Sequence, residues 1–133
     1  MYSELRTKLY DATVGTSGLN NRLYYTEAPQ DTGITPYAVF YLINQETIRA
    51  DSESTEENFT IQYNIFSDIK TTAKTMENIT EAIIIKLDSL KSTLAISGYD
   101  VLDYKKDFVL PAQKVEGYWT VSIQYSLLID KIN

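Results

Sequence analysis

The stretch FTIQYNIFSD (residues 59–68) alternates apolar and polar side chains with a period of two. Its apolar positions are Phe59, Ile61, Tyr63 and Ile65, and the polar positions between them are Thr60, Gln62 and Asn64. Successive side chains of a β-strand point to opposite faces of the sheet, so this pattern predicts a strand with one buried face. The other face carries almost no charge and ends at Phe66.

A second stretch, WTVSIQYSLL (residues 119–128), repeats this design near the end of the chain. Trp119 shares its face with Val121 and Ile123, so we expect Trp119 to be a core anchor. The opposite row is Thr120, Ser122, Gln124, Ser126 and Leu128. A face that meets only water usually carries more Lys and Glu, so the two neutral rows are candidate interface surfaces. The alternative is a sheet face that simply carries few charges.

Composition limits the possible functions. With 133 residues, 44% of them hydrophobic, the chain is long enough for one domain, which we place at 1–133. It contains no His and no Cys, which excludes a Ser-His-Asp triad, a Cys-His pair and a Cys/His zinc site. The net charge of −6 argues against nucleic acid or an anionic membrane as a ligand. We expect no cofactor.

The order of predicted elements is α-β-β-β-α-β-β, which indicates an α+β fold. We expect an antiparallel sheet of four to five strands with two helices packed on one face. The predicted elements are a helix at 3–14 capped by Ser3, an edge strand at 21–26, strands at 37–43 and 59–68, a helix at about 69–95 capped by Asp68, and a hairpin of 99–110 with 117–129.

The predicted strand at 37–43 (YAVFYLI) is apolar on both faces, although helices are available for only one. The second face must therefore meet something else, and Phe66 and Leu128 are the candidate contacts. Ile84, which falls among charged residues of the second helix, is a weaker third candidate because we expect it to be exposed.

Residues 46–58 lack a clear period and are acidic, which predicts a long, solvated hairpin loop. Its acids are Asp51, Glu53, Glu56 and Glu57. The residues alone leave open whether this loop has a role.

The stretch YDVLDYKKD (residues 99–107) contains the other group of neighbouring acids. A hard cation needs several converging oxygens, but Asp100 and Asp103 of a regular strand point to opposite faces. Lys105 and Lys106 also lie beside them. A solvated, charged strand is therefore favoured over a metal or acid–base site, and we expect no catalytic residue.

The segments TPYAVFYLI (residues 35–43), FTIQYNIFSD and YWTVSIQYSLLI (residues 118–129), in this order with their helices, give the chain a resemblance over nearly its whole length. It resembles the tail-terminator proteins of long-tailed bacteriophages, also called tail-completion or head–tail joining proteins. The most specific parts are the PYAVF strand and the strand–Ser–Asp–helix junction.

This resemblance implies a non-enzymatic ring, typically a hexamer, at the head-proximal end of the virion tail. The ring caps the finished tail tube, ends its polymerisation and presents a docking face to a head-completion or neck protein. DNA passes through the lumen as cargo. In such a ring the acidic loops contact the tail tube or line the DNA passage, or they are solvated loops without a role. Assembly takes place in the host cytoplasm, with no membrane partner.

Two alternatives from other classes remain open at the level of sequence. One is a different virion protein, such as a head-completion adaptor or a tail-tube subunit, which polymerises alone into long tubes. The other is a small carboxylate-dependent enzyme, which requires converging acids in a concave site and binds a divalent metal.

Overall fold

The computed structural model describes residues 2–28, 36–50, 54–68 and 70–132, with the backbone alone for residues 2, 45–50, 54 and 55. The elements are α1 (Tyr2–Thr13), β1 (Leu23–Tyr25), β2 (Tyr37–Ala50), β3 (Ser54–Asp68), α2 (Ala73–Ser89), a 3₁₀ turn (Leu90–Ser92), β4 (Tyr99–Val115) and β5 (Tyr118–Ile132). The predicted α+β class and the order α-β-β-β-α-β-β are confirmed.

The five strands form one sheet in the order β1-β2-β3-β5-β4. The pairs β2–β3, β3–β5 and β4–β5 are antiparallel, but β1 is parallel to β2. The expectation of a purely antiparallel sheet was therefore wrong at this edge. The loop after α1 delivers β1 alongside the start of β2, where Leu23 pairs with Ala38 and Tyr25 with Phe40.

Both helices pack on one face of the sheet, which we call the inner face. Three buried tyrosines on this face bond to them. The Tyr104 hydroxyl donates to the Leu87 carbonyl at 2.8 Å, and the Tyr125 hydroxyl donates to Asp88 Oδ1 at 2.5 Å. Tyr63 lies 3.0 Å from the Thr13 hydroxyl on α1. The apolar faces of the two helices complete this core. They include Leu5 and Leu9 of α1 and Met76, Ile79, Ile83 and Leu87 of α2.

The two predicted helix caps were wrong. Ser3 lies inside α1, which already begins at Tyr2. Thr72, not Asp68, caps α2, because its hydroxyl accepts a hydrogen bond from the Thr75 amide at 3.2 Å. Asp68 ends β3 and accepts from the Lys70 amide at 3.1 Å, so its side chain stabilises the turn before the helix.

The predicted hairpin loop at 46–58 was also wrong. β2 and β3 stay paired up to Ala50 and Thr55, with two irregularities between Asn44 and Arg49. Only residues 51–53 separate the two strands, and these lie outside the described residues. Each irregularity shifts the register by one residue and so interrupts the alternation of apolar and polar side chains. The sequence pattern therefore does not predict that β2 and β3 extend beyond Asn44 and Phe59.

The final hairpin is longer than predicted and its turn is tighter. Only Glu116 and Gly117 connect β4 to β5, with φ of 50° and 85°, which suits a two-residue type I′ turn. Pro111 lies inside β4 rather than in the connection. It is tolerated because β4 is an edge strand and its register shifts between Leu110 and Gln113.

Trp119 is half-buried against the core rather than fully enclosed. Its indole Nε1 donates a 2.7 Å hydrogen bond to the Thr71 carbonyl, and Lys114 Nζ lies 5.0 Å from the ring centroid. The side chain therefore anchors the segment before α2 to the sheet, and the Lys114 cation lies over one side of its ring.

Candidate interaction surface

The candidate functional site is the face of the sheet that points away from both helices, here called the outer face. It carries the odd-numbered residues of β2 from Tyr37 to Ile43 and the even-numbered residues of β3 and β5. Both neutral rows identified from the sequence lie on it, side by side, because β3 and β5 are neighbours.

The centre of the outer face is a network of neutral side chains bonded to one another. Asn64 donates to the Tyr41 hydroxyl at 2.6 Å and accepts from Gln62 Nε2 at 3.1 Å and from Ser122 Oγ at 2.9 Å. Beside it, Thr60 is only 3% exposed. These polar groups already have partners, so another protein can cover them without leaving buried groups unsatisfied.

A single exposed carboxylate extends this network toward β4. Asp107 Oδ2 accepts from Gln124 Nε2 at 3.1 Å and also from Ser126 Oγ. Ser122, Gln124 and Ser126 of β5 are therefore held by hydrogen bonds to side chains of the neighbouring strands, so these side chains have little conformational freedom left to lose on binding.

Aromatic residues occupy one end of the outer face. The rings of Tyr24 and Tyr37 lie 6.2 Å apart between centroids, and those of Tyr37 and Phe66 lie 5.3 Å apart. Tyr118, 56% exposed, belongs to the same end, and we call these four residues the aromatic cluster. Partial burial, followed by the nearby phenols of Tyr118 and Tyr24, raises the pKa of Tyr37, so the Tyr37 phenol stays uncharged near neutral pH.

Acidic residues occupy the opposite end. The register places Glu56 of β3, Asp130 of β5 and Asp100 of β4 side by side, and we call these three the acidic row. Glu57 points to the inner face, while Asp51 and Glu53 lie outside the described residues. Of the four acids predicted to act together, the structure therefore places one on the outer face.

The structure separates the two main contact candidates. Phe66 lies at the aromatic end, whereas Leu128 pairs with Asn58 near the acidic end. Leu128 borders a small cleft of about 220 Å³ that also includes Asp103 and Lys105. Both residues were candidates because each ends a neutral row, and antiparallel strands carry such ends to opposite ends of the sheet.

Ile84 does not lie on the outer face, and it is not exposed to solvent as predicted. It is half-buried, packs against the core and lines a groove between α2 and β4. The exposed apolar residue of α2 is its neighbour Ile85, whose side chain is 69% exposed. The α2 pattern placed Ile84 among charged residues, but β4 passes close enough to cover it.

The acids of β4 lie differently from the prediction. A register shift between Val101 and Asp103 places both Asp100 and Asp103 opposite even-numbered residues of β5, so they share the outer face. Even so, no group of three or more metal-ligating side chains capable of holding an ion occurs among the described residues. No described helix is long and apolar enough to span a membrane.

Sequence reasoning missed three of the four residues in the aromatic cluster: Tyr24, Tyr37 and Tyr118. A signal was present for Tyr37, because it belongs to the second apolar side of the strand at 37–43. No local pattern connects Tyr24 and Tyr118 with it, because they come from other strands.

Comparison with known proteins identifies the fold. No family model and no curated protein matches the sequence. Among solved structures, a chain from the virion of a native gene transfer agent particle matches with a TM-score of 0.64 at 16% identity, covering 97% of this chain and 90% of that chain. A second structure, of a protein with no functional name, matches with a TM-score of 0.56 at 19% identity and covers 98% and 92%. The chain is similar to these proteins in fold.

Proposed function

We propose that this protein is a structural virion protein that closes into a ring of six copies. The ring caps the tail tube, ends tube polymerisation and offers a docking face to a head-completion or neck protein. It contributes no catalysis. DNA passes through its lumen, and the protein resides at the head-proximal end of the tail after assembly in the host cytoplasm.

Two independent observations support a virion component. The fold is shared, over 97% of the chain, with a chain found in a gene transfer agent virion. The sequence resembles tail terminators in the order of its elements and in its PYAVF strand, and the predicted order of elements is the one observed. The shared fold supports a structural protein of a virion, and the sequence resemblance supports a position at the end of the tail.

The observation that carries the ring is the outer face. It lies away from both helices, its centre is neutral and internally hydrogen-bonded, and an aromatic cluster lies at one end. Interface cores are depleted of charge and enriched in aromatic residues, and the neutral centre and the aromatic cluster of this face have these two properties. A head-to-tail contact repeated between copies closes into a ring when the rotation per subunit closes.

The acidic row supports an orientation within that ring. Carboxylates that face the lumen repel the phosphates of passing DNA, which keeps the DNA from adhering to the wall. The aromatic end then contacts protein. In this arrangement Phe66 meets the next copy, and Glu56 points toward the passage.

The proposal is tested by mixing the purified protein with tails lacking their terminator and imaging them by negative stain. We expect a closed ring at one end of tubes of uniform length. Long polymers formed by the protein alone would identify a tail-tube subunit instead, and binding to heads but not to tubes would identify a head-completion adaptor. Stoichiometric binding of a divalent metal would favour the enzyme alternative.

A further inference from the structure

A cleft of about 230 Å³ lies on the helix side of the sheet, between the end of α2 and β4. Lys91 of the 3₁₀ turn and Lys105 and Lys106 of β4 line it, and we call these three residues the basic cleft. The buried rings of Tyr104 and Tyr125 lie beneath them. Three ammonium groups are therefore close together in a chain whose net charge is −6.

The lysines of the basic cleft have no carboxylate partner of their own. Within the described part of the chain, none of the three forms an ion pair. Asp88 also lines the cleft, but its Oδ1 accepts a 2.5 Å hydrogen bond from the Tyr125 hydroxyl. Neighbouring like charges repel each other, and an anion that enters the cleft relieves this repulsion. The cleft therefore suits a carboxylate or a phosphate.

The outer face contains a carboxylate with the opposite requirement. Asp107 is exposed there, and its Oδ2 accepts hydrogen bonds from Gln124 and Ser126. Among the described residues no group pairs with its Oδ1, so the carboxylate is held in place while its charge is uncompensated. When another copy covers the outer face, as the proposed ring requires, this charge leaves water, which costs free energy unless a cation pairs with it. The covering surface should therefore present a cation to Asp107.

A head-to-tail contact joins two different surfaces of the subunit, so that cation comes from a surface other than the outer face. Two lysines of the basic cleft meet this condition. The β4–β5 register places Lys106 on the inner face, and Lys91 follows α2 on the helix side. Lys105 lies on the outer side of β4, where it lines a second cleft together with Asp107 of its own copy.

We propose that Lys91 and Lys106 of one copy bind the Asp107 carboxylate of the next copy. This inference rests on the proposed ring and deepens it, because it assigns the second surface of the head-to-tail contact and a charge pair across it. A DNA phosphate is the other anion available, but the net charge of −6 disfavours a polyanion more than it disfavours one fixed carboxylate.

The test uses two variants, each of which places like charges at every contact of the ring. The first is Asp107→Lys, and the second is Lys91→Glu with Lys106→Glu. Each should bind the ends of terminator-deficient tails at least about tenfold more weakly than the wild type. All three substitutions change exposed side chains, and circular dichroism checks that the variants fold.

Two further variants serve as controls. Asp107→Asn keeps an acceptor for Gln124 and Ser126 and removes only the charge, so binding to tail ends should weaken by about twofold to fivefold. Lys74→Glu reverses the charge of an exposed lysine of α2 outside the cleft and should bind like the wild type.

The most informative sample is a mixture of the two charge-reversed variants. In a ring where they alternate, each contact joins either two unchanged partners or two reversed partners, and both combinations attract. The mixture should therefore bind tail ends within about threefold of the wild type. Alternation closes only with an even number of copies, as in a ring of six.

The chain that carries all three substitutions separates pairing between copies from pairing within one copy. If this chain binds tail ends and the mixture does not, the charges pair within one chain and the proposal is wrong. It is also wrong if Lys105→Glu reproduces the loss while Lys91→Glu with Lys106→Glu binds like the wild type. Binding of a labelled DNA duplex that Lys91→Glu with Lys106→Glu removes would assign the cleft to phosphate instead.

The ring and the charge pair can fail separately. If the wild type caps tails and both charge-reversed variants do so equally well, only the charge pair is wrong. If the wild type does not cap tails, the proposed function fails, and sedimentation of the same samples without tails tests the contact. The mixture should then associate more strongly than either variant by itself, and equal sedimentation of all three samples overturns the contact.

Discussion

Phe66 and Leu128 project from the same face of the sheet but lie at opposite ends of it. Leu128 pairs with Asn58, eight residues from Phe66 along β3, which corresponds to roughly 26 Å at about 3.3 Å per residue. A neighbouring subunit that contacts both residues must therefore do so with two different parts of its surface. Phe66 belongs to the aromatic cluster, and Leu128 borders a cleft that includes Asp103 and Lys105.

The first prediction separates these two positions. Phe66→Asp places a charge in the aromatic cluster, beside Tyr37, so we expect a folded protein that no longer caps tubes and leaves tails of abnormal length. Leu128→Asp adds a charge near Asp103 and should have a smaller effect on capping. The double variant should remain a folded monomer. Tail lengths in negative stain and the native mass of each variant give the result.

Ile85→Asp is the matched control for these variants, because it introduces the same charge at an exposed apolar residue of α2. We expect it to leave tail length unchanged. If the double variant produced tails of normal length that join heads, the outer face would not be the ring interface, and the contact would have to involve the helices.

The second prediction concerns the acids of the β2–β3 hairpin. Replacement of Asp51, Glu53, Glu56 and Glu57 by Ser should leave the fold intact and impair head joining or DNA passage, because repulsion of phosphate is lost. Glu56→Ser should account for more of the loss than Glu57→Ser, since only Glu56 lies on the outer face. Infectivity and circular dichroism are measured together. Fully infectious particles carrying the fourfold variant would show that these charges have no such role.

The third prediction concerns Trp119. Trp119→Ala should lower the free energy of unfolding by about 3 kcal/mol, at the low end for a buried aromatic because the ring is half-buried. Trp119→Phe keeps most of the packing and loses the bond to the Thr71 carbonyl, so about 1 kcal/mol should be lost. Urea unfolding measures both. A loss below about 1 kcal/mol for the alanine variant would show that the ring does not anchor the sheet.

The fourth prediction concerns alkaline pH. Burial raises the pKa of Tyr63, Tyr104 and Tyr125 above the ordinary value near 10, and the Asp88 carboxylate raises that of Tyr125 further. These groups keep their protons in the folded protein while the unfolded chain releases them. Their contribution to stability is therefore complete below pH 10 and declines as the pH rises above it.

Tyr63→Phe isolates one of these contributions. Between about pH 10.5 and 11.5, the free energy of unfolding should fall less steeply than in the wild type, by up to about 1.4 kcal/mol per pH unit. Denaturant unfolding across this range measures the slope. Equal slopes for the variant and the wild type would mean that Tyr63 titrates alike in the folded and unfolded states.

Much of the fold was predictable because its signals are local. The period of two in β3 and β5 and the 3.6-residue period of α2 gave the class, the order and the inner face. The caps of α2 and the extension of β2 and β3 were not predictable, because Thr72 and Asp68 are both good capping residues and irregularities interrupt the pattern near Asn44.

The candidate surface was predictable in character but not in layout. Neutral rows on neighbouring strands can be read from Thr60, Gln62 and Asn64, but the separation of Phe66 from Leu128 depends on strand direction. The aromatic cluster unites Tyr24, Tyr37 and Tyr118 from three strands, a proximity that only the tertiary structure shows. The basic cleft brings Lys91 of the 3₁₀ turn close to Lys106 of β4, which no periodicity reveals.

The central claim is that copies of this protein close into a ring on the tail tube. The most direct measurement is an image of the protein bound to terminator-deficient tails, with the number of copies per tube end determined from the density. The account predicts one closed ring of six 15.2 kDa chains at one end of each tube, lost in Phe66→Asp with Leu128→Asp. A single copy per tube end, or continuous polymers along the tube axis, would contradict it.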